Sequence, residues 1–173
     1  NDTWAGHDPE LLEVAGHYRV GYVCSHTGGV TPRTRPHRVF FDDIVADVIH
    51  ETTTLAEKAV RAGVPEGRVF IDPTHDFGKN TFHGLELLRR IDEIVATGWP
   101  VLMALSNKDF IGETLDADVD HRGEGTLAAT SVAALHGARV FRTHDVPGTL
   151  RALEMVASIV GTRPPARTVR GLA

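Results

Sequence analysis

The chain has 173 residues, 42% of them apolar and 24% charged, with a formal net charge of −5. That is length and composition for one well-cored globular domain, and the acid excess excludes a general nucleic-acid or anionic-membrane surface. The one cysteine, Cys24, cannot form an internal disulfide and fits a reducing, cytoplasmic setting, while no apolar run approaches the ~20 residues of a membrane span.

Asn1-Asp2-Thr3 carries neither the basic nor the apolar pattern of a signal peptide, and reads as part of a strand-to-helix connection. Asp8-Pro9-Glu10 supplies an N-cap, a proline at the first helical position and an acid in the first turn. A helix is expected to follow through Leu11, Leu12, Val14 and Ala15. Residues 20–25 read as a buried strand that ends in Ser25-His26-Thr27-Gly28-Gly29. A polar basic loop with Arg33, Arg35 and Arg38 comes next. Ile44, Val45, Val48, Ile49, Leu55, Ala56, Ala59 and Val60 then keep helical spacing until Gly63.

The second strand, 69–71, opens into Asp72-Pro73-Thr74-His75-Asp76-Phe77-Gly78-Lys79. Leu85, Leu88, Ile91, Ile94 and Val95 mark one helix closed by Gly98. The third strand, 101–105, ends in Ser106-Asn107-Lys108-Asp109. The acidic, glycine-containing stretch 112–125 is expected to be a loop, and the alanine-rich stretch 126–135 a helix. The fourth strand, 138–141, ends in Arg142-Thr143-His144-Asp145-Val146. A last helix over 149–160 leaves 161–173 as a flexible tail.

Regular alternation of short apolar strands with amphipathic helices predicts a parallel sheet with right-handed crossovers. Each strand places polar residues just beyond its C-terminal end, as a (β/α) barrel does at its active face. A complete barrel takes about 250 residues. The expected fold is therefore a TIM-type (β/α)8 barrel of which residues 1–160 supply about the second half, the last four strands.

In an extended run Arg142 and His144 point the same way, a pair suited to a planar ring or a phosphate. The bland alternative is a surface arginine beside a helix-capping His-Asp. Lys108 adds a second cation to the same rim, and Asp72 is the matching carboxylate, able to accept two hydrogen bonds from an aminopyrimidine-type edge. Gly28 and Gly29, with the three arginines that follow, could close over an anion; a solvated loop explains them as well. A metal site from His26, Asp72, His75 and His144 is a further alternative, although no His-x-His or His-Glu-x-x-His spacing is present.

Taken in order, these strand ends resemble those of the dihydropteroate synthase family. That family carries Asn-Asp after its fourth strand, a Met-His-Met-x-Gly type of loop after the fifth and Asp-Pro-Gly-x-Gly-Phe-Gly-Lys after the sixth. Ser-Arg-Lys follows the seventh and Arg-x-His-Asp-Val the eighth. The matching positions here are Asn1-Asp2, Ser25 to Gly29, Asp72 to Lys79, Ser106-Asn107-Lys108 and Arg142 to Val146, with Gly125 to Ala129 also alike.

The resemblance implies a transferase of folate biosynthesis, a homodimer assisted by Mg2+. It would join 6-hydroxymethyl-7,8-dihydropterin diphosphate to p-aminobenzoate. By the same resemblance Asn1, Asp72, Lys108 and Arg142 would hold the pterin, and Arg142 with His144 would face the diphosphate. Ser106, Asn107 and Asp109 would line the arylamine side. The family's Mg2+ ligands belong to motifs that this stretch does not contain.

Departures from the pattern are concentrated in the loops. Thr74 and Asp76 stand where the family has glycine, and Asn107 where it has arginine. Asp109 would oppose a carboxylate on the arylamine. A catalytically weak or inactive paralogue that keeps pterin, anion or sulfa-type ligand binding is the competing expectation.

Overall fold

The computed structural model describes residues 1–32 and 40–170; the candidate anion loop with Arg33, Arg35 and Arg38 lies outside the described residues. Among the described residues, four parallel strands are interspersed with seven α-helices. In order they are α1 (Pro9–Tyr18), β1 (Tyr22–Ser25), α2 (Ile44–Arg61), β2 (Val69–Asp72), α3 (Thr81–Arg89) and α4 (Ile91–Val95). They continue as β3 (Leu102–Met103), α5 (Asp109–Leu115), α6 (Gly123–Leu135), β4 (Val140–Phe141) and α7 (Val146–Ile159).

β1 pairs with β2 from Tyr22↔Val69 to Ser25↔Asp72, and β3 pairs with β4 at Leu102↔Val140 and Met103↔Phe141. Single parallel bridges at Asp2↔Cys24 and Ile71↔Val101 extend the pairing. Asp2, β1, β2, β3 and β4 thus lie side by side in chain order, with all their C-terminal ends on one side. The expected strands are present; β2 gains Asp72, while β1, β3 and β4 are shorter, most of all β3, where 101–105 contracts to Leu102–Met103.

Helix starts follow their sequence signals. Asp8, Asp43 and Asp145 accept hydrogen bonds from the first-turn amides of α1, α2 and α7. Asn80 and His83 form a reciprocal cap at the start of α3. Inside, Val45, Val48, Ile71, Leu87, Ile91, Ile94, Met103 and Leu105 are fully buried. α2 turns Val45, Val48, Thr52, Leu55, Ala56 and Ala59 inward at the predicted spacing.

Two expectations about the helices fail. The single helix expected through Leu85 and Val95 breaks at Arg90, where φ is −115°. The Arg90 guanidinium binds both carboxylate oxygens of Asp43 at 3.0 Å, Glu86 at 3.0 Å and Glu93 at 2.7 Å, so it clamps the break to the start of α2. The stretch 112–125 is largely helical, belonging to α5, a 3-10 turn over Val119–His121 and the start of α6. Its glycines allow close packing. A Cβ on Gly112 would lie 2.4 Å from the Arg122 guanidinium carbon, and one on Gly125 would lie 2.5 Å from Ile111 Cγ2. Buried Phe110 and Ile111 anchor α5 between them. α7 begins at Val146, earlier than expected, and no regular element follows it up to residue 170.

Candidate functional site at the strand ends

Asp72 ends β2 and is 2% exposed. Its Oδ1 accepts from the Thr74 amide at 2.8 Å, while the Thr74 hydroxyl donates back to the Asp72 carbonyl at 3.0 Å. Burial raises the Asp72 pKa, opposed by the Thr74 amide, Arg142 and Lys79. A ligand presenting N–H donors would favour the carboxylate form.

Lys79 closes the same loop. Its ammonium donates to the carbonyls of Thr74 and Phe77 at 2.9 Å and of His26 at 3.2 Å, which ties the β1 and β2 loops together. Burial lowers its pKa to about 7, against the pull of Asp72, Asp47 and Asp76. Gly78 has φ +63°, and a Cβ there would meet the Thr27 carbonyl oxygen at 2.5 Å. The closing Gly-Lys is thus a structural fastener. Thr74, in one of the family's glycine places, is left-handed at φ 53°, a conformation that costs a β-branched residue of order 1 kcal/mol.

The two buried histidines sit beneath this loop. His26 is fully buried, with Nε2 2.6 Å from Asp47 Oδ1; burial and Lys79 lower its pKa to about 4, although Asp47 opposes this. His75 is stacked near Phe110, with ring centroids 5.4 Å apart, and burial, Lys79 and Lys108 push it down to about 3. His26 Nδ1 and His75 Nε2 have no hydrogen-bond partner among the described residues. Both histidines belong to the strand-end motifs and to the alternative metal set of the sequence. Among the described residues no group of three or more His, Cys, Asp or Glu side chains could hold a metal ion.

The Asn1 side-chain amide reaches Ser25 Oγ at 3.4 Å and Thr3 Oγ1 at 3.2 Å, at the edge of the same rim. Its neighbour Asp2 is buried and structural. Asp2 accepts from the Tyr22 hydroxyl at 2.5 Å and the Gly6 amide at 2.6 Å, and this curls the first loop over β1. Trp4 in that loop meets Phe77 edge-on at 5.2 Å.

The β3 and β4 ends complete the rim. Lys108 and Asp76 form an ion pair at 2.5 Å. Asn107 is left-handed at φ 56°, a conformation asparagine tolerates; its amide donates to Thr126 Oγ1 at 3.1 Å. Ser106 Oγ lies 2.9 Å from His144 Nδ1 and accepts from the His144 amide at 3.3 Å, so the β3 and β4 loops are also joined. Arg142 is exposed, and its amide donates to the Met103 carbonyl at 2.9 Å. Its charge acts on Asp72. A cavity of about 260 Å3 opens between these loops, lined in part by Ser106, Asn107, Thr126, Thr143 and His144.

Two groups escaped sequence reading. Asp76 appeared there only as an added side chain, with no partner foreseen. Arg122 did not appear at all. Its guanidinium donates to the Asn107 carbonyl at 2.9 Å and Asp109 Oδ1 at 2.8 Å. Asp109 is therefore paired with a cation. The signal for Arg122 was Gly112, ten residues before it, whose missing side chain leaves room for the guanidinium.

Comparison with known proteins agrees with this arrangement. The family model described as "Pterin binding enzyme" matches residues 1–144. A Mycobacterium leprae protein named "Inactive dihydropteroate synthase 2" is 63% identical over 177 residues, a match covering all of this chain and 61% of that protein. The dihydropteroate synthase of Bacillus subtilis is 32% identical, over 92% of this chain and 54% of the enzyme. The crystal structure of dihydropteroate synthase from Thermus thermophilus superposes with a TM-score of 0.83 at 37% identity, covering 92% of this chain and 62% of that one. The chain thus spans little more than half the length of the curated relatives it matches. With the strand ends, their spacing and the fold in accord, the chain belongs to the dihydropteroate synthase family of pterin-binding enzymes.

Proposed function

We propose that the protein carrying this chain binds a dihydropterin at the strand-end rim but condenses it poorly, or not at all, with p-aminobenzoate. The observation that carries the reading is Asp72. It is a buried carboxylate at the end of β2, within the field of Arg142, and its loop is fastened by Lys79. Such a group suits the adjacent N–H donors of an aminopyrimidine ring. Asn1 and Arg142 would complete the pterin contacts, with Lys108 once released from Asp76. Arg142 and His144 would face the diphosphate.

In a working synthase of this family, loss of diphosphate would leave a cationic pterin for the arylamine to attack. Asp72 would stabilise that developing charge from a fixed position. This chain keeps the residues for that step. The arylamine side, with Ser106, Asn107 and Asp109, is the part that differs from the family pattern. The name borne by the Mycobacterium leprae relative, at 63% identity, favours the inactive reading. The full synthase reaction is the second reading, favoured by the retained Asp72, Arg142 and His144.

The same reading treats residues 1–160 as the last four βα units of the barrel, in a homodimeric cytoplasmic protein. Side-by-side strands in chain order support it. So do the apolar side chains left exposed on α1 (Leu11, Val14) and α7 (Leu150, Met155, Ile159), where adjacent units of a closed barrel would pack. No helix among the described residues is long and apolar enough to cross a membrane.

The test is calorimetric titration of the whole protein with 6-hydroxymethyl-7,8-dihydropterin diphosphate and Mg2+, followed by p-aminobenzoate. Pterin binding without release of diphosphate is the expected result. Turnover comparable to an active synthase would establish the second reading, and no pterin binding would overturn both.

A further inference from the structure

We infer that Asp76 is a specificity-determining residue that occupies Lys108 from within the chain and keeps it from an incoming ring. The inference rests on the pterin-site reading above, because it concerns a cation assigned there to the pterin. Asp76 itself belongs to none of the ligand contacts in that reading. It enters on geometry alone, through an ion pair of 2.5 Å between side chains only 32% and 21% exposed.

Ion pairs between mobile surface loops carry little consequence. This one joins two backbones that are each fixed by other bonds. On the β2 side, Lys79 holds the carbonyls of Thr74 and Phe77, the residues flanking His75 and Asp76, and the Phe77 amide donates to the Thr74 carbonyl at 3.3 Å. Gly78 is pressed against Thr27, and Trp4 packs on Phe77. Asp76 is therefore presented at a set place, with its carboxylate directed across the rim.

On the β3 side, Asn107 is pinned by Thr126 and by Arg122. The Lys108 carbonyl accepts from the Ile111 and Gly112 amides at 3.0 and 3.3 Å, which anchors it to the start of α5. The lysine thus starts from a fixed backbone as well. Two preorganised partners need little further ordering to meet, so the pair persists where a loose one would not.

A ring carbonyl or ring nitrogen is a neutral acceptor. It must take Lys108 from a carboxylate, which is the stronger acceptor for an ammonium group. The site therefore discriminates against neutral-acceptor rings unless the ligand supplies donors to Asp76 in return. Removing the carboxylate lifts that competition and leaves Asp72, Arg142 and the Lys79 fastening in place.

The test compares wild type, Asp76→Asn and Asp76→Gly in the whole protein, with thermal unfolding to confirm that each variant folds. Asp76→Asn keeps the size of the side chain, so it covers the case in which the glycine loosens the loop. The first readout is the labelling rate of Lys108 by an amine-reactive reagent, followed by peptide mass spectrometry. The second is calorimetric affinity for 6-hydroxymethylpterin. Both variants should label Lys108 faster and bind the pterin about five- to tenfold more tightly, a gain of the size expected when one charged competitor is removed.

Unchanged Lys108 labelling would overturn the inference whatever the affinities. Pterin binding that is measurable yet equal in all three proteins would overturn it too. Faster labelling with no pterin binding in any of them would uphold the occupation of Lys108 and defeat the pterin-site reading instead.

Discussion

The β1–β2 side of the rim and the β3–β4 side are built differently. β1 and β2 pair over four residues each, whereas β3 and β4 pair over two. Beneath the first pair lie Asp72, His26 and His75, all buried, and Lys79 binds three carbonyls there. The second pair carries Arg142 and His144 as exposed residues, and Lys108 reaches across to Asp76. Shape at the first side is set by Asp72 and Lys79, polar groups taken out of water whose hydrogen bonds admit few arrangements. At the second side, the exposed Arg142 cation can exchange partners at small cost. Substitutions at the first side should therefore act on stability, and those at the second on ligand affinity.

The strongest challenge to that division is Gly78→Ala. A methyl group would meet the Thr27 carbonyl oxygen at 2.5 Å in a left-handed backbone at φ +63°. We expect a loss of about 3 kcal/mol or more in equilibrium unfolding. A loss below about 1 kcal/mol would show that the loop is not fastened as described.

Acid sensitivity should also belong to the first side. His26 and His75 titrate near 4 and near 3 in the fold, against 6.5 without it, because burial opposes the charged form. The unfolded chain thus binds more protons over that interval. Their contribution to stability is complete above pH 6.5 and is lost as pH falls toward 4 for His26 and toward 3 for His75, with a slope approaching about 1.4 kcal/mol per pH unit for each. Asp72, whose pKa is raised, acts with the opposite sign, its contribution being lost as pH rises through its folded value. His75→Leu removes a buried nitrogen that has no partner among the described residues. It should raise stability by about 1 kcal/mol at pH 7 and flatten the slope between pH 6.5 and 4, as urea unfolding across that range will show.

Effects at the second side should be read in binding. Arg142→Ala is expected to weaken pterin affinity about tenfold, equivalent to one charge-assisted contact, with the unfolding midpoint unchanged. An altered midpoint with unaltered affinity would reverse the division drawn between the two sides. The smallest effect concerns Asp109, whose side chain is 82% exposed and paired with Arg122. Asp109→Ser should strengthen p-aminobenzoate binding only about two- to fivefold, by freeing the Arg122 cation. In an Arg122→Ala background the gain should shrink toward nothing. A gain of equal size in both backgrounds would mean that direct repulsion by Asp109 decides the matter.

The order of strands and helices could be read along the chain because hydrophobic period and helix caps are local signals. Asp8, Asp43 and the spacing of Val45, Val48, Leu55, Ala56 and Ala59 needed no knowledge of what lay opposite. The strand-end motifs were legible for the same reason, since each is a short contiguous run. The helix break at Arg90 depended on Asp43, 47 residues away, and α5 depended on burying Phe110 and Ile111. Gly112 and Gly125 look like loop residues until their neighbours are seen. The pairing of Lys108 with Asp76, 32 residues apart, and of Asp109 with Arg122 could not be inferred from residue type. Each of these charges could have been solvated or bound to ligand. Sequence by itself determined the four strands, most of the helices, their order and the residues brought to the rim, because those follow from local patterns. Only the tertiary structure decided which of those charges face a ligand and which face one another, because that depends on distances between loops that the chain keeps far apart.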